Sequence, residues 1–150
     1  MSARVVDRCR ACGGTGFDSV VDLGDMPLAN AFLDRAALDR PETRYPLHAV
    51  RCGDCGLVCL TVVVDPVEMF QNYVYVTGTS DTMRDHFARS AAAISQRFLS
   101  PGALVVELGS NDGTLLGAFP GDIRVRGVEP AGNIAQIARE RGVPTDNELF

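Results

Sequence analysis

The chain contains no lysine and no tryptophan, so all 14 of its basic residues are arginine. A Schiff-base lysine and a lysine general base are thereby excluded. There is no basic run either. With a formal net charge of −5, the chain lacks the electrostatic footprint of a nucleic-acid binder. Long hydrophobic runs are also missing. The longest apolar stretch, residues 56–64, is far too short to span a bilayer, and residues 1–10 hold no apolar signal region. The chain therefore reads as soluble, cytoplasmic and monomeric, with neither nucleic acid nor membrane as a partner. Histidine is scarce: only His48 and His86 occur, and neither has the setting of a serine nucleophile. His86 reads as a surface or capping residue rather than a base, and His48 as structural. Arginine-only basicity with abundant Ala, Val and Gly points to a high-GC bacterial gene.

What the chain does have is five cysteines, four of them in two Cys-x-x-Cys pairs, Cys9/Cys12 and Cys52/Cys55. Two close pairs of thiolates suit tetrahedral Zn²⁺, each pair gripping the metal from one turn. Glycines follow both pairs, in Cys12-Gly13-Gly14 and Cys55-Gly56. They let the backbone reverse and aim N–H groups at the sulfurs. The 39 residues between the pairs exceed the usual ribbon spacing of about 15–20, so a sub-domain must loop out between them. A redox pair would sit at a helix start beside a βαβ pattern, which neither pair does. Disulfides would need an oxidising compartment. A structural zinc is the expectation, and Cys59, in the apolar run 57–64, reads as a small hydrophobe in a buried strand.

At 150 residues the chain has room for one domain or two small ones. Residues 1–65 form the cysteine unit, with a short strand at 20–24, a short helix from Asp34 to about Asp39, a returning strand at 45–51 and a third at 58–64. Residues 66–100 connect the halves. They comprise a helical turn over 67–72, an extended segment Tyr73-Val74-Tyr75-Val76-Thr77-Gly78-Thr79-Ser80, and a helix over 82–99 capped by Ser80 or Asp81. Its stripe Met83, Phe87, Ala91, Ile94 and Phe98 has helical spacing and reads as core packing. Residues 101–150 change character. Leu104–Leu108 reads as a strand buried on both faces, followed by the loop Gly109-Ser110-Asn111-Asp112-Gly113 and a helix start over 114–118. A second strand at 125–130, a second helix at 131–141 and a third strand beginning near 142–144 complete a β-α-β-α order. The fold class is α/β: a small zinc-binding N-terminal domain, then the incomplete start of a doubly wound, Rossmann-like sheet.

A strand, a glycine loop and a helix in succession bring backbone N–H groups close to a bound ligand. Glu129, 16 residues after Gly113, stands at the end of the second strand, where a carboxylate can take both ribose hydroxyls of an adenosine. The spacing Glu107-x-Gly109-x-Asn111-x-Gly113 favours S-adenosylmethionine over NAD, because a dinucleotide fingerprint wants Gly-x-Gly-x-x-Gly. Tyr73 and Tyr75, two apart in an extended segment, share a face. They either line a polar ligand cleft with Thr77 to Ser80 or cover a domain junction as half-buried aromatics.

The ordered string Cys-Arg-Ala-Cys-Gly, Asp-Leu-Gly-Asp-Met-Pro-Leu-Ala-Asn-Ala-Phe-Leu, Tyr-Pro-Leu and Cys-Gly-Asp-Cys-Gly-Leu-Val continues through Tyr-Val-Tyr-Val-Thr-Gly-Thr-Ser and Thr-Met-Arg-Asp-His-Phe. It ends in Val-Glu-Leu-Gly-Ser-Asn-Asp-Gly-Thr-Leu-Leu and Gly-Val-Glu-Pro-Ala. From about residue 8 onward the chain closely resembles the N-terminal part of the sugar C-methyltransferases acting on nucleotide-linked 4-keto-deoxyhexoses. The resemblance implies a zinc-binding domain, an S-adenosylmethionine domain and a C-terminal α/β domain, serving deoxysugar and antibiotic biosynthesis. It implies proton removal beside a ketone, typically at C3, and attack of the enolate on a sulfonium methyl. It places Glu107, Gly109, Asn111, Asp112, Gly113 and Glu129 at the cofactor site with Tyr73 and Thr79 beside it, and Tyr75 facing the sugar as the active-site residue. Cys9, Cys12, Cys52 and Cys55 would hold a structural zinc remote from the chemistry.

Cys59 stands where the family more often has glutamine. The family's histidine base lies beyond position 150, so the chain is expected to be a fragment that binds zinc without turning over. The competing expectation is a zinc-stabilised binding module with no catalysis.

Overall fold

A computed structural model describes residues 3–70 and 73–150, and it divides into two units, Met1–Met69 and Phe70–Phe150. The first holds β1 (Ala3–Val5), β2 (Phe17–Met26), β3 (Tyr45–Cys52), β4 (Val58–Leu60) and β5 (Val62–Val64), with α1 (Pro66–Phe70) at its end. Residues 71 and 72, the end of the expected helical turn, lie outside the described residues. Strands β2, β3 and β4 form one antiparallel sheet, and β1 pairs with β5 in another.

Three expectations for this unit are corrected. Strand β2 is longer than 20–24, because pairing with β3 runs from Phe17↔Cys52 to Met26↔Tyr45 across two irregularities. The apolar run 57–64 is not one buried strand. It bends at Thr61, whose N–H donates to the His48 carbonyl at 3.0 Å, so β4 stays with β3 while β5 leaves for β1. Val64 is the only residue of the run that is buried. The helix expected at 34–39 is a chain of turns. Asp34 does act as a cap, its Oδ1 accepting from the Ala37 N–H at 2.8 Å. The bonds that follow, Ala37 to Asp34 and Arg40 to Ala37, are of the three-residue kind, and a segment this short ahead of Pro41 cannot carry the cost of helix nucleation.

The second unit holds α2 (Asp81–Phe98), β6 (Leu104–Leu108), β7 (Arg124–Val128), α3 (Gly132–Glu140) and β8 (Thr145–Asp146). The three strands are parallel, in the order β6-β7-β8. Ser80 caps α2 by accepting from the Met83 N–H. Ala91 from α2, Ala138 from α3, and Leu116, Phe119, Ile123 and Val143 from the connections form the core, with Val105 and Val125 packed against it. The stripe on α2 does pack inward at Ala91 and Ile94, but Phe98 is exposed under the Arg97 guanidinium, 4.9 Å from its ring centre.

Three further expectations change here. The segment 73–80 is not extended throughout, since Thr77–Thr79 form a 3₁₀ turn closed by the Thr79 and Ser80 N–H groups on the Val76 and Thr77 carbonyls. The helix start at 114–118 is only a single 3₁₀ turn, Leu116–Ala118, as Gly113, Gly117 and Pro120 all disfavour propagation. Strand β6 is covered on one face: Val105 and Glu107 point toward the core side, while Leu104, Val106 and Leu108 are 52–56% exposed.

Candidate functional site

The cysteine pairs sit on two matching backbone turns. In the first, the Cys9 carbonyl accepts from the Gly13 N–H (2.8 Å) and the Cys9 N–H donates to the Gly14 carbonyl (2.7 Å). In the second, the Cys52 carbonyl accepts from the Gly56 N–H (2.9 Å) and the Cys52 N–H donates to the Leu57 carbonyl (2.8 Å). The offsets are identical, and the residue four beyond the leading cysteine is a glycine at φ +78° in both, the left-handed conformation that glycine adopts without strain. The leading cysteine of each pair is buried and the trailing one exposed.

All four sulfurs lie within 4.8 Å of one another, with Cys9–Cys55 at 3.5 Å and Cys12–Cys52 at 3.6 Å. Those separations exceed a disulfide bond of about 2.05 Å and match the roughly 3.8 Å between thiolates held tetrahedrally at about 2.3 Å from zinc. The electrostatics agree. N–H groups of Cys12 and Ala11 lower the Cys9 thiol to about 6. The Gly14 N–H pulls Cys12 down, but the sulfurs of Cys55 and Cys52 push it up to about 12. Four sulfurs this close share their negative charge poorly without a cation between them. Cys59 stands apart. It is half-buried in a mostly apolar cleft of about 600 Å³ with Tyr45, Leu47, Leu60 and Val62.

In the second unit, the glycine loop leaves β6 with the N–H groups of Gly109 and Ser110 both donating to the Val128 carbonyl (2.8 and 3.1 Å). Gly109 and Gly113 have φ of +70° and +74°, and Asn111 has φ +49°. Glu129 directly follows β7 and is buried. Its Oε2 accepts from the Asn111 N–H and its Oε1 from the Ala131 N–H, both at 2.8 Å. Glu107 is treated differently. Its Oε2 and the Ser110 hydroxyl are buried without a hydrogen-bond partner among the described residues. Burial, then the charges of Asp112 and Glu129, push the Glu107 carboxyl up to about 7.

The other expected residues face the segment before α2. Asn111 donates through Nδ2 to the Tyr75 carbonyl (3.1 Å) and accepts at Oδ1 from the Thr77 N–H (2.9 Å). Asp112, fully buried, accepts from the Gly78 N–H at 2.9 Å, from the Thr114 hydroxyl at 2.6 Å and from Arg141. Burial alone would raise its carboxyl; Thr114, Gly78 and Arg141 more than reverse this and hold it below the usual range. Tyr73 is tied at both N–H and C=O by the side-chain amide of Asn133 (3.3 and 2.7 Å). Thr79 closes its own turn on the Val76 carbonyl at 2.8 Å, and Tyr75 is half exposed. His48 bonds Ser19 (2.9 Å) on the β2–β3 ladder, and His86 is exposed on α2.

Sequence reasoning missed Arg141, Asn133 and Thr114. Separations of 60 positions between Asn133 and Tyr73 and of 29 between Arg141 and Asp112 hide their pairing.

Residues 9–70 match the family described as "Putative zinc binding domain". Over 144 residues the chain is 38% identical to the C-methyltransferase NovU of Streptomyces niveus, covering 95% of this chain and 34% of that protein. The chain spans about a third of the length of this C-methyltransferase relative. The zinc-binding match takes in all four clustered cysteines, so sequence family and sulfur geometry support zinc at the same residues. Among the described residues no helix is long and apolar enough to cross a membrane.

Proposed function

We propose that this chain is the zinc-binding and cofactor-binding part of an S-adenosylmethionine-dependent C-methyltransferase whose substrate is a nucleotide-linked keto-deoxysugar. The observation that carries the reading is Glu107. A carboxylate at the end of a parallel strand keeps one buried oxygen without a partner beside a glycine loop. An unsatisfied buried acceptor is costly, and an ammonium group such as that of the methionine part of the cofactor would satisfy it. The parallel β6-β7-β8 sheet with α3 following β7 supports reading residues 101–150 as the start of a doubly wound domain.

When bound, S-adenosylmethionine supplies an electrophilic methyl group. The residues here bind and orient. The N–H groups that Gly109–Gly113 and Glu129 arrange set the shape of the loop. Glu129, with each oxygen committed to one N–H, retains lone pairs for hydroxyl donors. Tyr75 offers a half-exposed phenol on a tethered backbone, suited to a sugar or its enolate oxygen. Cys9, Cys12, Cys52 and Cys55 would hold zinc as a structural ion, since four thiolates leave no open position for substrate. The base that removes the proton is assigned to no residue of this chain.

The test is calorimetric titration of the zinc-loaded chain with S-adenosylhomocysteine. Saturable binding that weakens about tenfold in Glu107→Gln supports the enzyme reading. Zinc binding with no response to the nucleoside ligand favours instead a zinc-stabilised binding module without catalysis.

A further inference from the structure

Three polar side chains converge on a backbone position that has none of its own. A methyl group built on Gly78 would lie 2.6 Å from each of Arg141 Nη1, Asp112 Oδ2 and Thr114 Oγ1. Gly78 is buried, and its N–H donates to Asp112. Asp112 has no exposed surface, and its charge is balanced by one cation, Arg141, whose side chain remains 44% exposed. Arg141 follows α3, with its own N–H bonded back to Ile137 and Ala138 (3.1 and 3.2 Å). Its guanidinium therefore starts from a fixed backbone.

We infer that Arg141 is a positioning residue: acting through Asp112, it holds Gly78, and with it the backbone that carries Tyr75, against the glycine loop. The segment has three independent fastenings in chain order. Asn133 grips Tyr73, Asn111 grips Tyr75 and Thr77, and Asp112 with Arg141 grips Gly78. Losing Arg141 removes both a hydrogen bond and the counter-charge from Asp112, and leaves a buried carboxylate held only by Gly78 and Thr114. Only the third fastening loosens. A merely stabilising ion pair would instead weaken the unit evenly when removed.

That difference is measurable as amide exchange in the zinc-loaded 150-residue chain. In Arg141→Ala the Gly78 amide should exchange about tenfold faster or more, Thr77 by a few-fold, and Tyr73 and the amides of Ala91 to Ile94 by less than about twofold. Arg141→Lys, which keeps the charge but not the planar fork, should restore most of the protection. Unchanged exchange at Gly78, or an equal acceleration through α2, β6 and the segment, would overturn the inference. The role of Tyr75 in substrate binding rests on the function proposed above, and S-adenosylhomocysteine titration separates the two. Failure of the unsubstituted chain to bind it counts against that function, while the exchange gradient still decides the role of Arg141.

Discussion

The two units bury different things. Among the described residues of Met1–Met69 the buried apolar ones are Cys9, Val50, Cys52 and Val64, so half of that short set are expected metal ligands. In Phe70–Phe150 the set runs to Ala91, Leu116, Phe119, Ile123, Ala131, Ile134, Ala135, Ala138 and Val143, around buried Asp112 and Glu129. With so few buried apolar residues the first unit gains little from hydrophobic burial, and a metal is one remedy for a small core. The second closes on its own core. The direction of service is reversed as well. Around the cysteines, backbone turns position side chains. Around the glycine loop, the side chains of Asn111, Asp112 and Asn133 position backbone.

The sharpest way to break this comparison is to remove one sulfur. Cys52→Ser should lower bound zinc from about one ion per chain to near zero and abolish the cooperative unfolding of the first unit, while exchange protection of β6 and β7 survives. Metal analysis together with amide exchange reads both. If β6 and β7 also lost protection, the two units would not differ in what holds them.

Why the cysteines were legible and the tether was not follows from sequence distance. The paired thiols, the following glycines and the apolar spacing of α2 and α3 are local signals, each readable within a dozen residues. Ser80 announced α2 for the same reason. The ties from Asn133 to Tyr73 and from Arg141 to Asp112 span 60 and 29 residues and use residue types common on any surface. Strand β6 misled because an uninterrupted apolar run is the same whether one face or both are covered. The split of 58–64 at Thr61 was hidden likewise, since only the partners β3 and β1 decide where the run bends.

A milder effect is expected from Glu107→Gln. The folded carboxyl is raised to about 7 from 4.5, so its contribution is fully present below about pH 4.5 and is lost as pH rises through about 7. The substitution should raise the Tm of the second unit by a few degrees near roughly pH 8 and hardly at all near roughly pH 4. Thermal unfolding at the two pH values checks it, and an equal shift at both would remove Glu107 as the source.

The smallest change is expected at Cys59. Half-buried beside an apolar cleft and outside the sulfur cluster, it can become serine with bound zinc still at about one ion per chain. A fall in zinc content would bring a fifth sulfur into the first unit's metal chemistry.

Asn111 satisfies two demands that few amino acids meet together. Its backbone is left-handed, which glycine accepts most readily and asparagine and aspartate tolerate. Its side chain must both give a hydrogen bond to Tyr75 and receive one from Thr77, which of those three only asparagine does. At this position the usable alphabet shrinks to one letter. Unlike the glycines on either side, it is constrained as much by what it reaches as by how it bends.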